Sequence, residues 1–315
     1  SDSELDEVIV TGYGSQNERE ITSATVNVNA EDFNQGPIND PVQLLQGKVA
    51  GLSIYKPGGN PNESPTIRIR GLSTLGANTS PLVVIDGVPG ATLASIDAND
   101  IESMTVLKDG SGAAIYGTRG SSGVILITSK KGKSGPMQVS YSTSFAQTSI
   151  SQEIPVLSPT EFKANGGTDL GTETDWVDAI TRNGSNVVHN FSVSGGGDKS
   201  TYRMSANLRR AEGILNKTGL DQMNTRTALN TKAMNDTLDI TFNLSYTKFD
   251  RRLGDERAFE FAQFYNPTAP IYGADSPFAF NSAQYGGYFE SLGLFRSYNP
   301  VAIIEQTRNT RNSMD

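Results

Sequence analysis

Hydrophobic and polar positions follow two different patterns, which meet near residue 135. Beyond that point apolar and polar side chains alternate. Across residues 137–145, Val139, Tyr141 and Phe145 are apolar, while Gln138, Ser140, Ser142 and Ser144 are polar. Residues 201–209 set Tyr202, Met204, Ala206 and Leu208 against Thr201, Arg203, Ser205, Asn207 and Arg209. Residues 238–247 repeat the scheme with Leu238, Ile240, Phe242, Leu244 and Tyr246 against Asp239, Thr241, Asn243, Ser245 and Thr247. Residues 187–194 and 222–231 carry fainter versions. Successive strand side chains point to opposite faces, so this period of two predicts strands with one apolar and one polar face.

The first 135 residues read differently. Short apolar runs at 8–10, 52–55, 67–69, 81–85 and 123–128 alternate with Gly and Pro and predict short strands. Residues 41–49 predict an amphipathic helix, with Asp40 as N-cap, Pro41 in its first turn and Gly51 just past its end. Asn99 and Asp100 announce a second short helix through 101–104, and the whole predicts a small α/β domain.

Alternation alone also fits a soluble sandwich with one wet face. The connections point elsewhere. The links at 195–200 and 234–236 are tight, whereas those at 148–186, 212–221 and 251–299 are longer. Short turns at one end and longer loops at the other are the habit of an outer-membrane barrel, whose strands need roughly 9–11 residues to cross. Arg203 and Arg209 fall on the polar face, where charge is tolerated. Five strands close no barrel, and residues 300–306 are expected to open a sixth, so the sequence reads as a fragment of a longer chain.

Composition narrows the options. A formal net charge of −8 and a pI near 4.9 argue against a nucleic-acid partner. No run approaches the roughly 20 apolar residues of a spanning helix. Ser1 opens the chain without a basic and then apolar leader, as a mature or trimmed form would. Cysteine is absent and His189 is the single histidine, so thiolate chemistry, a His-centred triad and a His-rich metal site have no material. His189 shares the membrane-facing parity of Val187, Phe191 and Val193 and reads as an interfacial imidazole. Gly110, Gly112 and Gly117 match neither phosphate-binding glycine motif and read as turns. No enzyme activity, cofactor or metal is expected.

Several ordered pieces resemble one family. Asp6-Glu-Val-Ile-Val-Thr-Gly-Tyr-Gly14 looks like the TonB-box region of SusC/RagA-like TonB-dependent outer-membrane transporters. Leu45-Gln-Gly-Lys-Val-Ala-Gly-Leu52, Ile69-Arg-Gly71 and Pro81-Leu-Val-Val-Ile-Asp-Gly-Val-Pro89 follow in the expected order. So do Ile101-Glu-Ser-Met-Thr-Val-Leu-Lys-Asp109, Ala114-Ile-Tyr-Gly-Thr-Arg-Gly120 and Gly123-Val-Ile-Leu-Ile-Thr-Ser-Lys-Lys-Gly132. Thr174-Asp-Trp176 and Asn190-Phe-Ser-Val-Ser-Gly-Gly196 extend the likeness into the alternating region, while Asp109-Gly-Ser-Gly112 departs from the family's Ala-rich pattern.

The resemblance implies an α+β plug domain followed by an antiparallel transmembrane β-barrel, here a fragment of a barrel of about 22 strands. Residues 1–20 would be a TonB-box segment and linker, 21–135 the plug, and 136–315 the first strands and extracellular loops. It implies import of oligosaccharides or peptides across the outer membrane of a Gram-negative, Bacteroidetes-like bacterium. The partners would be TonB, energised by ExbB and ExbD, a SusD-like surface lipoprotein and membrane lipid. A siderophore or cobalamin receptor and a secreted β-rich adhesin are the rival readings.

Candidate residues follow. Glu7, Val8, Ile9, Val10 and Thr11 would add as a strand to TonB, with flexible Gly12-Tyr13-Gly14 and a polar stretch at 15–20 behind them. Arg68, Arg70 and Arg119 would face the lumen and pair with barrel carboxylates. Asn78, Thr79 and Ser80 would form a substrate-facing plug tip. The aromatic-dense loop 251–299, with Phe261, Phe264, Tyr265, Tyr285 and Tyr288, would pack on a lid protein, stack on ligand or enclose its own small core.

Overall fold

The computed structural model describes residues 8–11, 14–17, 25–34, 40–56, 58–71, 79–109, 113–273, 282–290 and 298–314. It opens with β1 (Val8–Thr11) paired antiparallel to β2 (Gly14–Asn17), so the polar stretch begins as a strand. β3 (Thr25–Asn29) follows, then β4 (Leu52–Tyr55) and β5 (Thr66–Ile69), which form a separate hairpin-like pair. The remaining strands of this domain are β6 (Leu82–Ile85), β7 (Val88–Pro89), β8 (Ile101–Leu107) and β9 (Val124–Ser129).

Five of these make one sheet in the order β3-β8-β9-β6-β7, with β6 and β9 parallel and the other pairs antiparallel. The central β9 reads Val-Ile-Leu-Ile-Thr-Ser because both its faces are covered. On one face Ile125 and Ile127 join Val28, Leu45, Ile101, Met104 and Val106; on the other Val124 and Leu126 join Leu82, Val84, Leu107 and Ala113.

Two local expectations fail here. Residues 101–104 are strand, not helix. Asp97 caps a single 3-10 turn at Ala98–Asp100, after which the chain is recruited between β3 and β9, where Ile101, Thr105 and Val106 suit a pleated, buried position. The helix expected over 41–49 shrinks to a 3-10 turn, Pro41–Leu45. Its start is as expected, with the Asp40 side chain accepting from the Val42 amide, but Gly47 at φ 78° ends it early. Burial pushes the Asp40 carboxyl above its ordinary range, opposed by that amide and then by Lys56 and Arg209.

The second half is a meander of β10 (Gly135–Thr148), β11 (Gly184–Gly196), β12 (Ser200–Glu212), β13 (Gly219–Ala233), β14 (Leu238–Arg252) and β15 (Thr310–Met314), each antiparallel to the next. Alternation sets the faces. Val139, Tyr141, Phe191, Met204, Leu208, Leu229, Phe242 and Leu244 point outward and are exposed, as an apolar band does when lipid is its solvent. Ser205, Asn207, Asn224 and Thr247 point inward and are buried against the first domain. His189 is on the outer face, with its Nδ1 2.9 Å from the Tyr141 hydroxyl.

At the end with the longer connections sit α1 (Pro159–Ala164), α2 (Trp176–Ile180), α3 (Arg257–Phe264) and α4 (Pro300–Gln306). The last corrects the sixth strand expected at 300–306. Asn299 accepts from the Val301 and Ala302 amides and Pro300 sits in the first turn, both start signals for a helix; the sixth strand is β15. The last three of these helices share a second core of Trp176, Ile180, Leu215, Ala258, Ala262, Tyr265, Phe289 and Ile304.

If the outward face meets lipid, Leu244→Arg in the full-length protein should cost about 2–4 kcal/mol, while inward Ser245→Arg should cost far less. Urea titrations of the folded barrel in lipid vesicles check this, and equal costs at the two sites would refute the assignment of faces.

Candidate functional site

A polar seam joins the N-terminal domain to the wall. It is built from three aspartates on one side and three arginines on the other. Asp86 and Gly87 form the two-residue turn between β6 and β7, both with positive φ (48° and 84°), the geometry that an Asp-Gly pair favours in a tight hairpin. That turn aims the Asp86 carboxylate at the end of β9, where it accepts from the Ser129 amide (2.9 Å) and hydroxyl (2.8 Å). The Arg226 guanidinium of β13 closes on the same carboxylate.

Asp97 and Asp100 bracket the 3-10 turn before β8. Asp97 accepts from the Asn99 amide at 2.9 Å and faces Arg209 of β12 at 3.6 Å. Asp100, 3% exposed, takes three donors from one strand: Arg203 at 3.1 Å, the Ser205 hydroxyl at 2.8 Å and the Asn207 amide at 2.7 Å. Residues 203, 205 and 207 share a face because they are two apart, so β12 presents a ladder of donors to one carboxylate. A charge taken out of water is tolerable only with this degree of satisfaction. Between the aspartates, the Ala94 carbonyl accepts from Gln222 at 3.0 Å, the Ser95 carbonyl from Thr247 at 3.3 Å, and Ala94 packs on Ala211, Leu220 and Phe249.

In these pairs the N-terminal domain supplies the acids and the wall the bases. Arg68, Arg70 and Arg119 are exposed and form no ion pair with a barrel carboxylate among the described residues. Arg119 instead lies with its guanidinium against Gly90. The six partners actually used were visible only in part. Inward parity flagged Arg203 and Arg209, and buried inward arginines require counter-charges, but nothing in one sequence says which segment supplies them.

Other candidates land in different places. Val8–Thr11 is the β1 strand, paired to Gly14–Asn17; Glu7 lies outside the described residues. Asn78 also lies outside them, while Thr79 is half-buried and Ser80 exposed. Among the loop aromatics, Tyr265 belongs to the loop's own core: it is buried, meets Trp176 edge-on at 4.8 Å and donates its hydroxyl to the Phe289 carbonyl at 3.0 Å. Phe261 meets Tyr298 edge-on, Tyr288 tilts against Tyr272, and Tyr285 is half-buried. Phe264 points outward at 69% exposure and lines a groove of about 820 Å³ with Ile154, Val156, Leu157, Phe162 and Val177. Among the described residues no group of three or more acidic, His or Cys side chains is placed to hold a metal.

A domain clamped by ion pairs to the inner face of a meander with an apolar outer face, preceded by a separate two-stranded pair, is the arrangement of the plug-and-barrel receptors. The comparisons agree. The TonB-dependent Receptor Plug Domain family matches residues 17–124. The TonB-dependent receptor SusC of Bacteroides thetaiotaomicron is 32% identical over 99% of this chain and 34% of its own length. The RagAB peptide importer in its open-open state superposes with a TM-score of 0.72 at 25% identity, over 79% of this chain and 33% of that one. The siderophore receptor PirA of Acinetobacter baumannii shares the fold at TM-score 0.52 and 19% identity, over 80% of this chain and 35% of its own. The chain belongs to the SusC/RagA-like TonB-dependent receptors and spans about a third of the length of the curated relatives it matches.

Removing one partner of a buried pair strands the other. Asp100→Ala should destabilise plug seating by about 3–5 kcal/mol, and Asp100→Ala with Arg203→Met should recover part of the loss. Ion leak through the full-length protein in planar bilayers at rising urea reads this out. A leak threshold unmoved by Asp100→Ala would show that the pair carries no load.

Proposed function

We propose that this chain is the plug and opening wall of an importer that moves oligosaccharides or peptides across the outer membrane, driven by TonB with ExbB and ExbD. The observation that carries this reading is a plug held to the inner wall by the Asp86, Asp97 and Asp100 contacts, with β1 lying apart from the plug sheet. Ion pairs suit such a task. They hold the plug at rest yet can re-form after displacement, which a fused apolar core would not allow.

β1 is the segment for TonB. A strand with a free edge offers main-chain hydrogen bonds for strand addition, with Val8, Ile9, Val10 and Thr11 setting register. A SusD-like lipoprotein is the partner at the opposite end, supported by the exposed Phe264, Ile154, Val156 and Leu157 on the loop surface. Phe261, Tyr285 and Tyr288 stiffen that surface from behind. Thr79 and Ser80 belong to the plug's substrate-facing turn. The chain itself performs no covalent chemistry. Residue identity supports the SusC/RagA side over a siderophore receptor, whose likeness extends to the fold alone.

Proline lacks the amide that strand addition needs. Val8→Pro or Val10→Pro in the full-length protein should therefore abolish energised uptake and leave substrate binding at the cell surface intact. Transport at the wild-type rate in either variant would remove β1 from this role.

A further inference from the structure

The plug also reaches the end of the wall that carries the long connections, through the turn at residues 58–63 between β4 and β5. Gly219 and Arg252 are the terminal pair of the β13–β14 ladder. The Asn62 side-chain amide donates to both of their carbonyls, at 3.1 and 2.8 Å. Two carbonyl acceptors call for an NH2 group, and the Asn62 side-chain oxygen is buried with no partner among the described residues. Its donors alone hold this side chain to the wall. Asn60 orders the turn by accepting from the Asn62 backbone amide at 3.0 Å, and donates to the Glu256 carboxylate at 2.6 Å.

The β12–β13 connection at 213–218 is gripped from two sides. The Ile214 amide donates to the Gly59 carbonyl at 2.9 Å, while the Ile214 carbonyl accepts from the Arg182 amide, just past α2, at 2.8 Å. The plug side is closely fitted: a Cβ on Gly213 would sit 2.7 Å from the Gly59 carbonyl oxygen. On the loop side the Asn216 amide donates to the Ile180 carbonyl of α2 at 2.9 Å, and Leu215 is buried with Trp176 and Ile180. Lys217 donates to the Glu305 carbonyl of α4 at 3.0 Å. Glu256, held by Asn60, is the N-cap of α3, whose Ala258 and Ala262 enter the same core. One plug turn is thus bonded, directly or through 213–218, to all three helices of the loop core.

We infer that Asn62 and Asn60 are positioning residues, through which the seated plug sets the placement of the loop assembly above it. Phe264 is the last residue of α3, so the surface offered to the SusD-like partner takes its position from the plug turn. For that consequence the inference rests on the reading of the loop surface given above; the coupling itself does not. The contacts of Asp86, Asp97 and Asp100 lie on other plug segments and hold the sheet to the wall independently of this turn.

Amide hydrogen exchange of the full-length protein reads the coupling without cargo, TonB or lid protein. Asn62→Asp keeps the side chain's shape but turns a carboxylate oxygen toward two carbonyls. It should lower protection across α3 on the order of tenfold, as the loss of one or two hydrogen bonds would, while β9 keeps its protection. Asn60→Ala should lower α3 protection by a smaller factor, and decides the matter if Asn62→Asp fails to fold. Wild-type protection of α3 in these variants, or an equal loss in β9, would overturn the proposal. Binding of the SusD-like protein to the wild type is a separate measurement, whose failure would remove the lid reading and leave the exchange result standing.

Discussion

Three carboxylates facing three guanidiniums across a buried seam set the terms for the rest of this structure. The plug presents Asp86, Asp97 and Asp100 on turns at the margin of its sheet, and the wall presents Arg203, Arg209 and Arg226 on the inward parity of two neighbouring strands. Neither set could be left alone in a low-dielectric space. The plug's acidic turns and the wall's basic rungs are therefore stable only when seated together, and the fold of each half explains the composition of the other.

The same logic orders the wall. Outward positions carry the apolar side chains and inward ones the polar groups that meet the plug, so a slip of one residue in any strand would put Arg203 or Arg226 in lipid and Phe242 against Asp-rich turns. Register and plug seating enforce each other. At the extracellular end the demand changes, and apolar groups close on themselves around Trp176 and Phe289.

Much of this was legible beforehand. The period of two located the five long strands, the tight turns paired them, and Asp40-Pro41 marked a true start of a helical turn. The failures share a cause. Residues 101–104 carry helix-start signals that local rules reward, yet the strand between β3 and β9 wins because Ile101 and Met104–Leu107 are buried there. Pro300–Gln306 was expected as a strand, and the Asn299 cap with Pro300 in the first turn marks the helix instead. The seam was half-visible: parity exposed Arg203 and Arg209 but not Arg226, and the partners lie 103 to 140 residues upstream, a pairing of which one sequence contains no record.

One feature of the plug sheet bears on how it would yield. β3 is an edge strand held by β8 alone, and its first residue, Thr25, pairs with Leu107 at the end of the sheet farthest from where β9 hands over to the wall. Tension on the chain upstream of Thr25, directed toward that hand-over, doubles the strand back on itself. Its five backbone pairings would then open in succession, like a zip, instead of resisting all at once. In single-molecule extension this reads as a low plateau before any sharp rupture, because the better-clamped strands behind β3 feel the load only after it has gone.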